Sequence, residues 1–161
     1  MRSSAAHPRQ ITDRECAIAF RTPPRWGSSS PSKWTRPRRG ECSFTIRDNA
    51  PHADQFIDVR VRFGSLESRA EDLGFEQRDS GWVLQGEDVS PASRVYVKAG
   101  TMLAGTAATR LYENGVYRAI ADETRCIVSD NKDRVIELSG FVDDSIVRAV
   151  ARTFSFLAIR R

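Results

Sequence analysis

The sequence has few of the residues that enzymes and metal proteins depend on. Only two of its 161 residues are histidines, His7 and His52, and neither stands at a metal-ligand spacing from another histidine or a cysteine. The two glycines of residues 100–105 (GTMLAG) are not followed by a Lys-Ser or Lys-Thr pair, so this stretch is interpreted as a turn between strands and not as a phosphate-binding loop. We therefore expect no catalytic residue, no metal and no cofactor, and we predict that the protein is not an enzyme.

Long apolar segments are also missing from the sequence. No run of about 18 apolar residues occurs, which argues against a membrane-spanning helix. The first ten residues, MRSSAAHPRQ, lack the apolar segment of a secretory signal. The sequence therefore favours a cytoplasmic location, with a periplasmic one as the alternative if a signal was removed and Cys16 is bonded to Cys42.

Cysteine is scarce as well. Cys16, Cys42 and Cys126 are too few and too scattered for a disulfide scaffold or a zinc site. The favoured interpretation is three free thiols that serve as small hydrophobic side chains. The alternative pairs Cys16 with Cys42, each at the start of a predicted strand, and implies an oxidising compartment. Cys126 closely follows two acidic residues, which disfavours a thiolate, so we predict a free thiol that points into the core.

Charge is distributed unevenly along the chain. Residues 1–40 contain nine Lys and Arg residues against two acidic ones, a net charge of +7, whereas the remaining residues have a net charge of −3. We predict a flexible basic arm over residues 1–14 and a single domain over residues 15–161, a length within the usual range for one domain. Within the domain, residues 27–40 are rich in Gly, Ser, Pro and Arg and are predicted to form a long exposed loop.

Hydrophobic periodicity predicts strands and two helices. Apolar and charged residues alternate over residues 57–63, which predicts a strand on a sheet covered on one side or at a sheet edge. Asn114-Gly115 predicts a tight hairpin. Ser65 and Asp143 are predicted to cap two helices, the second of which has an apolar stripe. That stripe consists of Ile146, Val147, Val150 and Phe154. Further strands are predicted at residues 16–20, 42–46, 75–78, 82–85, 95–97, 107–112, 116–121, 126–128 and 135–138.

These elements predict an α+β fold class. An antiparallel sheet meander with two helices packed on it accounts for the pattern, and an α/β/α sandwich is one form that this arrangement can take.

The predicted loop contains the candidate partner-binding residues. Trp34, Arg36, Arg38 and Arg39 are of the types that dominate protein–protein interfaces. The same residues are also suited to a phosphate backbone and a stacked base. A third interpretation is a solvated loop beside a buried Trp26, and all three stay open.

Two short segments, together with the order of the predicted elements, are the basis of a resemblance to a known family. Residues 20–26 (FRTPPRW) follow the first predicted strand, and residues 153–156 (TFSF) follow the last predicted helix. In this layout the chain resembles the Mog1/PsbP-like group. The resemblance implies an antiparallel sheet sandwiched by helices and a non-enzymatic role, because members of that group bind a GTPase, a photosystem complex or the transmembrane segments of secreted bacterial effectors.

We therefore predict a non-catalytic protein-binding module, such as a bacterial chaperone, adaptor or toxin-neutralising immunity protein. Its partner would be another protein, for example a secreted effector or toxin. The alternative is a nucleic-acid-associated protein that uses the basic arm and loop. A carrier of a small ligand bound against the sheet is a third function, for which no specific residues stand out.

Overall fold

The computed structural model describes residues 8–28, 41–50 and 55–159. The helices within these ranges are α1 (Leu66–Asp72) and α2 (Asp144–Arg152). The strands are β1 (Arg9–Asp13), β2 (Ile18–Thr22), β3 (Trp26–Ser28), β4 (Cys42–Asp48), β5 (Phe56–Phe63), β6 (Phe75–Arg78), β7 (Gly81–Gln85), β8 (Val89–Val97), β9 (Gly100–Glu113), β10 (Val116–Ser129), β11 (Arg134–Gly140) and β12 (Ser155–Phe156).

One antiparallel sheet organises most of these strands. Its order is β3-β4-β5-β11-β10-β9-β8-β7-β6, and β1, β2 and β12 form a second, three-stranded sheet. All pairings described are antiparallel. The predicted antiparallel sheet with two helices is therefore confirmed, although the molecule is mainly β. The strand predicted at residues 57–63 is β5, which lies between β4 and β11 and not at an edge.

The two faces of the large sheet bury different sets of residues because side chains alternate along each strand. The α2 face carries Val59 and Cys126, which share one core with Val147 and Val150 of α2. The opposite face, the α1 face, carries Ile127, which shares a second core with Leu66 and Ala70 of α1. The three-stranded sheet also packs on the α2 face, through side chains of β2 that belong to the first core.

Both helices begin at the predicted caps. The Ser65 hydroxyl accepts a hydrogen bond from the Ser68 amide at 3.2 Å, and the Asp143 carboxylate accepts one from the Ser145 amide at 2.9 Å. In α2 the stripe side chains Val147 and Val150 are buried, as predicted, and Ile146 is half-buried. In the part of the chain that is described, neither helix has the length and apolarity needed to cross a membrane.

The interpretation of residues 100–105 as a turn is wrong. These residues open β9, and the side chains from Met102 to Ala104 are completely buried. A strand whose two faces are both covered is apolar on both faces, so its residues do not alternate between apolar and polar. The pattern from which a strand is predicted is therefore absent. Gly100, at φ +149, begins the strand next to a short turn from β8.

The N-terminal boundaries also differ from the prediction. Residues 9–13, predicted to belong to a flexible arm, form β1 and pair with β2, so that Ile11 lies opposite Phe20. Gly27 and Ser28, predicted to open the loop, belong to β3 and pair with β4. The histidines His7 and His52 lie outside the described residues.

Two of the three cysteines are bonded to each other. Cys16, in the turn before β2, and Cys42, the first residue of β4, form a disulfide with a Cα–Cα distance of 5.7 Å. The favoured interpretation of three free thiols is therefore wrong for this pair, and the alternative pairing is confirmed. Cys126 is a free thiol in the core, as predicted, and burial raises its pKa to about 12.

Replacing Val150 with Asp should destabilise the protein strongly. Val150 is 1% exposed in the core under α2, where an unpaired carboxylate has no water and no partner. We expect the free energy of unfolding to fall by about 3 kcal/mol or more, measured by urea denaturation. Ala149, the exposed neighbour on the same helix, provides the matched control. Equal losses for Val150→Asp and Ala149→Asp would contradict the position of α2.

The thiols should react in a fixed order. In the oxidised folded protein we expect no alkylation at neutral pH, because Cys126 is fully buried and its pKa is about 12. Denaturant alone should expose one thiol, and denaturant with reductant should expose three. Intact-mass spectrometry after alkylation counts them, and peptide mapping locates the first at Cys126. Three thiols in the denatured, unreduced protein would show that Cys16 and Cys42 are not bonded.

Candidate functional site

The β9–β10 hairpin extends beyond the strands that flank it. β8 pairs with β9 only as far as Gly105, and β11 pairs with β10 only from Thr124 onward. Residues 106–123 therefore form a two-stranded ribbon that leaves the large sheet. The loop after β7 also holds the base of this ribbon, because the Glu87 amide donates a hydrogen bond to the carbonyl of Ala108 at 2.8 Å.

The far end of this ribbon, residues 110–120, is called the hairpin tip below. Asn114 and Gly115 close it with φ values of +52° and +78°, the left-handed pair expected for a tight two-residue turn. Its large apolar side chains are exposed on a surface that no described element covers. The exposed fractions are 59% for Tyr112, 63% for Val116, 51% for Tyr117 and 51% for Ile120.

Aromatic and charged contacts order the hairpin tip. The rings of Tyr112 and Tyr117 meet edge to face, with centroids 6.2 Å apart. The guanidinium of Arg110 lies 5.9 Å from the Tyr117 ring and forms an ion pair with Glu87 at 2.8 Å. Such contacts are each worth little in water, so they orient the side chains without covering them.

A second candidate is a polar groove on the α1 face of the sheet. It has a volume of about 750 Å³ and lies between the end of α1 and the strands from β4 to β10. Its charged side chains include Asp58, Arg60, Glu71, Glu123, Arg125 and Glu137.

Charges in the groove are paired with groups in it or beside it. Glu137 is 4% exposed, and its carboxylate lies 3.4 Å from the Arg62 guanidinium. Burial raises the pKa of Glu137, and the neighbouring arginines partly oppose this effect. Arg125 donates to the carbonyl of Leu73 at 2.7 Å and to the carboxylate of Glu123, so it fixes the end of α1.

Among the described residues, neither an accessible free thiol nor a metal-ligand cluster accompanies the charged side chains of the groove. The free thiol of Cys126 belongs to the core of the opposite face, so it cannot serve as a nucleophile there. Within residues 8–28, 41–50 and 55–159, no three metal-ligating side chains come together. The hairpin tip is therefore the better candidate for a functional surface.

The partner-binding residues predicted from the sequence lie outside the described residues, so their role stays a prediction. They are Trp34, Arg36, Arg38 and Arg39. Sequence reasoning identified the strands of the hairpin and its Asn114-Gly115 turn but missed that the tip is uncovered. The signal was its composition, because the residues on either side of the turn include two tyrosines and a valine where a solvated turn would carry polar side chains.

Comparison with known proteins gives no family. Neither protein-family models nor curated protein sequences match this chain. Function therefore has to be argued from the geometry of the described residues.

Glu137 should make stability depend on pH. Its pKa in the folded protein lies above the ordinary value of 4.5. Its contribution to the free energy of unfolding is therefore complete below that value and is lost as pH rises through the raised pKa. The glutamine of Glu137→Gln does not titrate, so this variant does not lose stability from this position as pH rises. We expect the free energy of unfolding of Glu137→Gln, relative to wild type, to increase as pH rises above 4.5, measured by urea denaturation from acid to neutral pH.

Arg62→Met provides the control for this prediction. Because Arg62 lowers the pKa of Glu137, its removal should raise that pKa further and move the loss of stability to higher pH. The prediction would be contradicted if the difference in the free energy of unfolding between Glu137→Gln and wild type stayed constant with pH.

Proposed function

We propose that this chain is a non-catalytic protein-binding module and that the hairpin tip is one of its docking surfaces. One observation carries the proposal. The large side chains of Tyr112, Tyr117 and Ile120 are more than half exposed and share one face of a ribbon that stands clear of the sheet. Contiguous exposed apolar surface of this kind is typical of interaction sites.

The composition of the tip supports a protein partner. Tyrosine and arginine are the residue types that most often supply binding energy at protein interfaces, because they combine a large apolar body with hydrogen-bonding groups. Tyr112, Tyr117 and Arg110 are already ordered by mutual contacts. A pre-ordered surface loses less side-chain entropy when it binds.

A more specific role is proposed on the basis of the resemblance to the Mog1/PsbP-like group. It favours an α/β/α layering and the function of a bacterial chaperone, adaptor or toxin-neutralising immunity protein, with a secreted effector or toxin as partner. Trp34, Arg36, Arg38 and Arg39 are proposed as additional partner contacts. The Cys16–Cys42 disulfide favours an oxidising compartment such as the periplasm over the cytoplasm.

Photo-crosslinking should identify the partner surface. With Tyr117 replaced by p-benzoylphenylalanine, we expect irradiation of living host cells to yield an adduct between this chain and a second protein. The same group at Tyr96, which is 93% exposed on β8, provides the matched control and should give no such adduct. Ile120→Ser, combined with the crosslinking group at position 117, should weaken the adduct, because it removes apolar surface from the same face of the ribbon.

The adduct's chemistry separates the proposed function from the nucleic-acid alternative. An adduct that protease digests but nuclease leaves intact supports the protein-binding function. An adduct sensitive to nuclease, or equal protein adducts at Tyr96 and Tyr117, would overturn it. Binding through the basic arm and loop would also weaken steeply as salt increases.

A further inference from the structure

The protein has three asparagines, Asn49, Asn114 and Asn131, and the backbone that follows them is held in different ways. After Asn49 and after Asn131, the amide of the next residue donates a hydrogen bond to the aspartate that precedes the asparagine, at 2.9 Å and 2.8 Å. After Asn114 the next residue is Gly115, and within the described ranges no hydrogen bond holds its amide. Of the three asparagines, Asn114 is therefore followed by a backbone nitrogen that is free to react.

The approach to this nitrogen is open. Gly115 has no side chain, and a methyl group added to its Cα would meet no atom within 4 Å. Both residues of the turn are exposed, at the end of a ribbon that β8 and β11 leave unpaired. A turn in such a position opens at a smaller cost in free energy than a turn that the rest of the fold holds.

We infer that Asn114 is a self-modification site, which loses its side-chain amide by cyclisation onto Gly115. The Gly115 backbone nitrogen attacks Cγ of Asn114 and forms a bond with it. The bond from Cγ to Nδ2 breaks, and Nδ2 leaves as ammonia with the proton that the backbone nitrogen gives up. The product is a cyclic imide, a succinimide. Water then adds to either of its carbonyl carbons and opens the ring, which leaves aspartate or isoaspartate at this position.

The reaction requires the turn to open briefly. Asn114 has a φ of +52° in the closed turn, and its backbone must rotate before Cγ can reach the Gly115 nitrogen. Opening breaks the pairing of Glu113 with Val116 at the free end of the ribbon, away from the large sheet. The turn that contains Asn131 is better held, because one carboxylate oxygen of the preceding aspartate accepts hydrogen bonds from three successive amides.

Isoaspartate changes the turn on which the hairpin tip depends. In this product the chain continues through the former side chain, so the backbone gains one carbon atom. A tight two-residue turn is built from two ordinary residues with positive φ, which the lengthened backbone no longer provides. Tyr112 and Tyr117, which pair next to this turn, then lose their register. The inference goes beyond the proposed function, because no partner takes part in the reaction.

Ageing of the full chain tests the inference. The folded protein is incubated in mildly alkaline buffer, and its products are separated by ion exchange and located by peptide mapping. We expect a form with one more negative charge, because an amide has become a carboxylate. An isoaspartate methyltransferase should label this form at position 114. The rate of modification at Asn114 should exceed the rates at Asn49 and Asn131 by about tenfold or more, because glycine leaves the nitrogen open and the ribbon is free to move.

Two matched variants assign the site. Asn114→Gly removes the side-chain amide and introduces a residue that adopts positive φ without strain, so the acidic form should disappear. Asn131→Gly makes the same change at a second left-handed position, with φ +62°, and should leave the acidic form unchanged. Hydrogen exchange of the isolated isoaspartate form should show lost protection over residues 106–123 and unchanged protection of β11.

Three outcomes would overturn the inference. In the first, the folded chain forms no acidic product, whereas the chain unfolded in urea forms it at Asn114, so that the turn protects the site. In the second, the folded chain reacts equally fast at Asn49 or Asn131. In the third, the isoaspartate form keeps the hydrogen-exchange protection of the ribbon. All three are distinguishable from failure of the proposed function, which the crosslinking experiment at position 117 tests separately.

Discussion

The fold depends on one buried cation. Arg134, the first residue of β11, is 5% exposed, and its guanidinium donates to the backbone carbonyls of Cys16 at 2.8 Å, Ala17 at 3.1 Å and Leu157 at 3.0 Å. Burial lowers the pKa of Arg134 because the charged form loses hydration, which the three carbonyl oxygens partly replace. A single side chain of the large sheet thus holds the segments before β2 and after β12, which are far apart in sequence. Removing it would take this donor from the buried Cys16 carbonyl, whereas the Ala17 carbonyl would keep the hydrogen bond from the Leu157 amide.

This attachment explains why the two faces of the sheet differ. The disulfide ties Cys16 to β4, and the Leu157 amide donates to the Ala17 carbonyl at 2.8 Å, so the three-stranded sheet is fixed over the α2 face. That face is accordingly apolar across β4, β5, β11 and β10. Of the segments that the structure describes, the α1 face receives a seven-residue helix and the β6–β7 hairpin. Its groove carries charged residues, among them the exposed Arg60 and the buried Glu137, whose carboxylate lies beside the Arg62 guanidinium.

Prediction from the sequence succeeded for elements that have one side buried and the other exposed to solvent. Residues 57–63 alternate because β5 meets the core on one face only, and the α2 stripe is regular for the same reason. It failed at residues 100–105, where both faces of β9 are covered and the alternation disappears. The pairing of Cys16 with Cys42 depends on a long-range approach that no local pattern encodes. The exposure of the hairpin tip was missed for a related reason, since a strand pattern does not say which neighbours a strand will have.

The hairpin tip has no paired strand outside its own hairpin among the described residues. An isolated two-stranded ribbon is marginally stable in water, because it buries little and loses the full conformational entropy of its backbone on ordering. Here the tight Asn114-Gly115 turn and the exposed ion pairs of Arg110 and Arg118 offset only part of that cost. Apolar side chains at the tip add nothing to folding while they remain in water. A partner that covers Tyr117 and Ile120 would convert that exposed area into stabilisation of the ribbon, so binding and ordering of the tip should be coupled.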